Sequence, residues 1–304
     1  MGRRKTAAAV LALVFSLFSV SAAYAAEEER EAQPRYARYA EVAEEPEALA
    51  GEYIPVLMYH HFAIRDMGMG NGVVTTTTEL EDHLRYFKSE GWRVISLEEL
   101  DRVLTKAEQK KERLHDNSEG LGLGQKYLCI TMDDGYYSNY DLGYPLFKQY
   151  RAPASVFAVT DFVTEQTGIQ KFTWKQAEEM EKSGMMKIYS HSADHVPVAA
   201  GEEETFLASA QKSEETLQEY LKGERVKAIA YPNGRYTEES QRLLAEDGYE
   251  MQFTIEEGVI TNTTPMDAIP RITVTSGMDG KDVVRKIELA AEKAFAAESE
   301  GNET

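Results

Sequence analysis

Cysteine is almost absent from this chain of 304 residues, since Cys129 is the only one. A single thiol cannot close an internal disulfide, so a disulfide-stapled extracellular scaffold is excluded. Basic residues are also scarce, with 33 Lys and Arg against 52 Asp and Glu and a formal net charge of −19. Such a surface repels nucleic acid and anionic membranes, and we therefore expect neither as a partner.

The N-terminus lacks an apolar run long enough for a membrane span. A basic patch at residues 3–5 precedes a mostly apolar run at 7–20 and an Ala-x-Ala site at Ala23 and Ala25. This order is typical of a secretory signal peptide, and the apolar run is shorter than the ~20 residues a span needs. An uncleaved N-terminal anchor is the alternative. A lipoprotein is not expected, because no cysteine lies near the cleavage site.

The predicted domain organisation follows from this N-terminus. Residues 1–25 are the predicted signal peptide, and residues 26–51, rich in Glu and Ala, are a predicted acidic leader. One domain is predicted over residues 52–304, with a polar, Gly-containing surface insertion near 105–126. We expect the mature chain to be a monomer without a membrane span, secreted and either extracellular or associated with the cell wall.

Short apolar runs recur along the predicted domain and are typical of buried strands. They lie at residues 54–59, 93–96, 127–132, 155–159, 186–189, 226–230 and 251–255. Helical stretches separate them; in the first, Leu80, Leu84 and Phe87 fall on one face after a capping-box pattern at Thr78–Glu81. The alternation predicts parallel βαβ units.

Polar residues suited to chemistry follow the carboxyl ends of these predicted strands: His60, His61, Asp133, Asp134 and His191. In a closed parallel barrel, catalytic residues gather at that end of the strands. Open doubly wound sheets place their sites similarly, so this pattern leaves both architectures open.

The residues that follow two of these strands predict a metal site. Asp133 and Asp134 are adjacent carboxylates that repel each other unless a cation or hydrogen-bond donors compensate, although Asp-Gly alone also suits a structural turn. His191 and His195, four residues apart after a strand, can both reach one ion. With a carboxylate they form a two-His, one-carboxylate site that leaves positions open for water and substrate.

These motifs resemble the polysaccharide deacetylase family, the NodB-homology group of carbohydrate esterases, over residues 54–274. The sequence Thr-Met-Asp-Asp-Gly at 131–135 is similar to the family's Thr-Phe-Asp-Asp-Gly, and 191–195 to its His-Ser/Thr-x-x-His. Tyr231, Pro232 and Asn233 belong to a further segment that supports the likeness. The resemblance implies an α/β fold, a distorted (β/α) barrel of seven to eight parallel strands.

The resemblance also implies roles for individual residues. Asp134, His191 and His195 would hold a divalent metal, foremost Zn²⁺, with Co²⁺, Ni²⁺ or Fe²⁺ also suited to such ligands. Asp133 would be the general base on a metal-bound water. The substrate would be an acetylated polysaccharide that contains glucosamine.

Three departures from the family's common pattern stand out. Ala230 lies near the position of an arginine that orients the base, and we assign Arg271 to cover that loss. Asn233 stands where an aromatic residue is usual. No histidine follows His195, although the family commonly places its general-acid histidine near the C-terminus.

The general acid must therefore come from elsewhere. Tyr59-His60-His61-Phe62 is similar to the family branch that deacetylates poly-N-acetylglucosamine, whose acid histidine lies on an N-terminal strand. His60 is our candidate because it immediately follows the tyrosine, with His61 as the alternative. His83 and His115 are expected to be structural or exposed. Poly-N-acetylglucosamine is the favoured substrate; peptidoglycan, chitin oligomers, acetylated xylan and an inactive carbohydrate-binding relative are the alternatives.

Overall fold

The computed structural model describes residues 51–65, 73–114 and 120–301. The predicted signal peptide, the predicted leader up to residue 50 and His115 lie outside these ranges. Ten strands are described: β1 Val56–Tyr59, β2 His61–Ala63, β3 Val74–Thr76, β4 Arg93–Ile95, β5 Tyr127–Asp133, β6 Ala154–Ala158, β7 Met186–Ser190, β8 Ala228–Ala230, β9 Met251–Phe253 and β10 Ile272–Thr273.

Seven α-helices connect or cover these strands within the described ranges. They are α1 Thr77–Ser89, α2 Leu97–Leu114, α3 Tyr144–Tyr150, α4 Trp174–Lys182, α5 Glu203–Tyr220, α6 Glu238–Glu246 and α7 Gly280–Gly301. No helix among the described residues combines the length and the apolar composition that crossing a bilayer would require.

Eight strands form one parallel sheet in the order β10-β1-β5-β6-β7-β8-β9, and β4 pairs with the first half of β5. β2 and β3 form a separate parallel pair. An isolated parallel bridge between Phe253 and Ile269 joins the end of β9 to the segment before β10, so the sheet curls towards closure. The predicted distorted (β/α) barrel of parallel strands is confirmed.

Burial explains why the strands could be predicted from the sequence. All residues of β1 and β6 are buried, as expected for strands of a parallel sheet covered on both faces. Inside the curl, the ring of Phe157 lies 5.1 Å from that of Phe253 and 5.8 Å from that of Tyr189, between centroids. These rings fill the interior below the edge where the polar residues gather.

The structure corrects the predicted start of α1. Thr76, not Thr78, is the N-cap: its Oγ1 accepts the N–H of Glu79 at 3.2 Å, and the Glu79 carboxylate accepts the N–H of Thr76 at 2.7 Å. Four consecutive threonines precede Glu79 and Glu81, so the Thr-x-x-Glu spacing of a capping box occurs twice. The end of β3 at Thr76 selects the earlier one. The predicted buried face of the helix is confirmed.

The polar segment near 105–126 is in part a helix. Residues 105–114 continue α2, in which Ala107 is buried, and Leu121 is buried beyond the undescribed residues 115–119. Its polar sequence therefore reflects the solvent-facing side of an amphipathic helix.

Candidate active site

The strand register brings the predicted site residues to one edge of the sheet. Tyr59 of β1 pairs with Met132 of β5, so His60 and Asp133, the next residues, lie at the same level. Two strands further on, Ser190 ends β7, and the N–H of His191 donates to the carbonyl of Ala158 at 3.0 Å. The carboxyl ends of β1, β5 and β7 thus share one edge.

Asp134, His191 and His195 converge on one point. Oδ1 of Asp134 lies 3.3 Å from Nε2 of His195 and 3.6 Å from Nε2 of His191, and one ligand atom from each residue lies within 4.8 Å of the others. Ligands about 2.0–2.1 Å from a tetrahedral zinc are separated by about 3.3 Å. The donor set and its spacing therefore fit a small divalent ion.

A hydrogen bond fixes the ligand nitrogen of His191. Its buried Nδ1 lies 2.8 Å from the carbonyl oxygen of Ala230, to which it donates, so Nε2 keeps its lone pair. Burial lowers the pKa of His191, against the opposing charges of Asp133 and Asp134. The imidazole is therefore neutral at neutral pH. Its contact with Asp134 is not an ion pair, because both atoms carry lone pairs that could bind a metal ion.

The backbone around these ligands adopts left-handed conformations. The φ angles are 72° at Asp134, 62° at Ser192 and 61° at His195. Local hydrogen bonds hold this loop: Oγ of Ser192 accepts the N–H of His195 at 3.0 Å, and Ser209 of α5 donates to Asp194 at 2.8 Å. Non-glycine residues rarely adopt such angles, and they persist where the surrounding structure enforces them.

Asp133 is paired with a buried arginine. The two Nη atoms of Arg271 donate to the two carboxylate oxygens of Asp133, each at 2.7 Å, and its Nε donates to the carbonyl of Thr254 at 2.8 Å. The exposed fraction is 0% for Arg271 and 2% for Asp133. Burial alone would raise the pKa of Asp133. The positive charge of Arg271, joined at acid pH by that of the protonated His191, holds it well below its usual range.

The two adjacent histidines have different surroundings. The imidazole of His60 lies near enough to Asp133 for its charge to contribute to the lowered pKa of that carboxyl. His61 contacts the segment after β5: its Nδ1 lies 2.9 Å from Oγ of Ser138, and its ring meets that of Tyr136 edge-on at 5.2 Å. Burial and the charge of Lys171 lower the pKa of His61.

The structure does not bring every supporting residue to the site. Tyr231 is fully buried and packs against Phe206 in a separate core cluster, and its hydroxyl donates to Gln252. Asn233 is exposed, with a φ angle of 54°. Just before this segment, the carbonyl of Ala230 contacts the candidate ligand His191.

His83, expected to be structural or exposed, is fully buried between two structural hydrogen bonds. Its Nδ1 lies 3.0 Å from the hydroxyl of Tyr59, and its Nε2 lies 2.8 Å from the carbonyl of Met278.

Four residues beside the site carried no interpretation from the sequence: Tyr136, Ser138, Asn139 and Lys171. Burial and the charge and hydrogen bonding of Asp134 raise the pKa of Tyr136, and Nζ of Lys171 lies 3.7 Å from the centre of its ring. The one feature of the sequence that could have indicated Tyr136, Ser138 and Asn139 is their position shortly after the Asp-Asp-Gly motif. Lys171 has no comparable signal.

Fold and site together define a class of protein. A curled parallel α/β sheet presents, at the carboxyl edge of its strands, two imidazoles and a carboxylate that could share an ion, with a second ionised carboxylate beside them. This arrangement suits hydrolysis by an activated water.

The family model described as polysaccharide deacetylase matches residues 121–252. The resemblance to this family and the enzyme class that the motifs indicated are confirmed.

Individual relatives agree with the family match. YxkH of Bacillus subtilis (strain 168), itself provisionally described as a polysaccharide deacetylase, is 28% identical over 230 residues, which cover 75% of this chain and 73% of that protein. The poly-beta-1,6-N-acetyl-D-glucosamine N-deacetylase of Staphylococcus epidermidis is 26% identical over 212 residues, 66% of this chain and 68% of that one. The fold is similar to that of the Streptococcus pyogenes deacetylase PplD, with a TM-score of 0.66 and 24% identity over 77% of this chain and 98% of that one.

Proposed function

We propose that this protein is a secreted, metal-dependent deacetylase that hydrolyses the N-acetyl groups of poly-β-1,6-N-acetylglucosamine. The observation that carries the proposal is the convergence of Asp134, His191 and His195 beside the ionised Asp133. These three residues would hold a divalent ion, foremost zinc, which would act as a Lewis acid that lowers the pKa of water and polarises the acetamide carbonyl. Cobalt, nickel and iron suit the same ligands.

Asp133 is the proposed general base. Its carboxylate takes a proton from the attacking water, and Arg271 holds both of its oxygens in a fixed plane. A carboxylate with a low pKa is a weak base in solution, so its contribution here comes from being ionised and correctly placed. General bases typically contribute about 10²–10⁴-fold to the rate.

His60 is the proposed general acid, because the departing amine must receive a proton and no histidine follows His195. An imidazole is suited to donate a proton at neutral pH. The influence of His60 on the pKa of Asp133 supports a location close to the base. His61 is the weaker candidate because its ring already contacts Ser138 and Tyr136.

Poly-β-1,6-N-acetylglucosamine is the proposed substrate on two grounds. The relative from Staphylococcus epidermidis is named for that activity, and the histidine after β1 is similar to the branch of the family with that substrate. The net charge of −19 is compatible with a polymer that becomes cationic as acetyl groups leave. Secretion is proposed from the N-terminal pattern at residues 1–25.

The test measures acetate release by the purified mature chain, with and without prior chelation, followed by return of zinc. The panel contains poly-β-1,6-N-acetylglucosamine, chitin oligomers, peptidoglycan and acetylated xylan. We expect zinc-restored activity that is highest on the first polymer. Undiminished activity of a demetallated sample would refute metal dependence, and a preference for another polymer would reassign the substrate. No acetate release from any of them would favour the inactive carbohydrate-binding alternative.

A further inference from the structure

The segment after the Asp-Asp-Gly motif holds the backbone of the two histidines. Asn139 begins a π-helical turn, Asn139–Gly143, a rare geometry that is frequent at functional sites. Its Nδ2 donates to the carbonyl of His60 at 2.7 Å. The preceding Ser138 contacts the next two residues: its Oγ accepts the N–H of Phe62 at 3.0 Å and lies 2.9 Å from Nδ1 of His61.

Asn139 is poorly explained as a packing residue. It is fully buried, and its Oδ1 has no hydrogen-bond partner among the described residues. The opposite amide orientation would place Oδ1 against the carbonyl oxygen of His60, so the observed orientation is the favourable one. Because an unpaired buried acceptor destabilises a fold, an apolar side chain would pack at lower cost. What asparagine adds is the donor to His60.

His60 needs such a contact because no strand contains it. β1 ends at Tyr59 and β2 begins at His61, so His60 lies at the junction between two separate sheets. Successive side chains of an extended segment point to opposite sides. Fixing the His61 ring against Ser138 therefore directs the His60 ring to the opposite side. The register of β1 and β5 sets His60 level with Asp133.

We infer that Ser138 and Asn139 are positioning residues that hold the His60 imidazole towards Asp133 and keep His61 turned away from it. This inference rests on the proposed role of His60 as proton donor. The Asp-Asp-Gly strand would then supply the base directly and, a few residues later, place the acid.

The first measurement compares Asn139→Leu and Ser138→Ala with the wild type. Asn139→Leu is of similar size and removes the donor, and Ser138→Ala removes a single oxygen. We expect kcat to fall by up to about 10²-fold, the cost of a misplacement near 1 Å. KM and bound zinc should stay unchanged, and the alkaline limb of the pH–rate profile should shift. Tyr140→Phe is the matched control, because it removes a hydrogen bond from the same turn to Glu179 and should leave kcat unchanged.

The second measurement separates this inference from the proposed function. His60→Ala should itself lose most turnover, and Asn139→Leu added to His60→Ala should lose no more than His60→Ala alone. Retained turnover in His60→Ala would overturn the proposed acid. If His60→Ala is inactive but Ser138→Ala and Asn139→Leu keep wild-type kcat and pH profile, the positioning role is refuted. If Asn139→Leu does not fold, Ser138→Ala alone decides between these outcomes.

Discussion

Replacing Arg271 with methionine is the most informative perturbation of this structure. Methionine keeps an unbranched side chain and removes the guanidinium, which leaves the Asp133 carboxylate buried without its bidentate partner. Breaking a buried pair in this way costs roughly 3–5 kcal/mol. At about 2–4 °C per kcal/mol for a domain of this size, Tm should fall by roughly 6–20 °C.

The loss should depend on pH in a defined direction. In the wild type the pKa of Asp133 is lowered, so its contribution to stability is fully present above the unfolded pKa of ~3.9 and disappears as pH falls through the folded value. In Arg271→Met, burial without the arginine raises the pKa of the same carboxyl. The difference in unfolding free energy should therefore be largest at neutral pH and shrink towards pH ~4.

The assay is urea unfolding at several pH values, with Arg242→Met as the control. Arg242 is exposed and pairs with Glu239 and Glu246 on α6, so its loss should change the stability little. Adding Asp133→Asn to Arg271→Met should restore part of the lost stability, because it removes the unpaired charge. A pH-independent loss no larger than that of Arg242→Met would refute this account of the pair.

Three further predictions concern the metal site, the two aspartates and the N-cap of α1. Chelation should abolish acetate release, and His191→Ala should purify without its metal, as elemental analysis would detect. Asp133→Asn should keep the metal and slow turnover by about 10²–10⁴-fold, whereas Asp134→Asn should weaken metal binding; equal metal content and similar rates would contradict these roles. Thr76→Ala should lose about 0.5–2 kcal/mol in urea unfolding, through the capping box with Glu79, without changing metal affinity.

The sequence predicted the positions of the strand ends for a physical reason. Strands buried on both faces read as continuous apolar runs, and their carboxyl ends share one edge of a parallel sheet. The polar residues after β1, β5 and β7 could therefore be grouped from the sequence alone. Their roles came from the family resemblance, because spacing alone identifies no base or acid.

Other contacts could not be predicted from local sequence patterns. Arg271 and Asp133 are 138 positions apart, and their contact depends on how the sheet curls between β9 and β10. Only the missing arginine near Ala230 pointed to Arg271. In the sequence, Asn139 cannot be distinguished from any other polar residue after a strand. Its proposed role depends on a single hydrogen bond to the carbonyl of His60, in a distant segment.

The left-handed backbone at Asp134 and His195 constrains how this site can be varied by mutation or by evolution. Aspartate, asparagine and histidine are the non-glycine residues that best tolerate positive φ. Chemistry and conformation thus select the same few residue types at these two positions. Asparagine at 134 would test the ligand alone, whereas a β-branched replacement would change ligand and loop together. An alanine scan that read these positions as pure ligands would overstate what the side chains contribute to metal affinity.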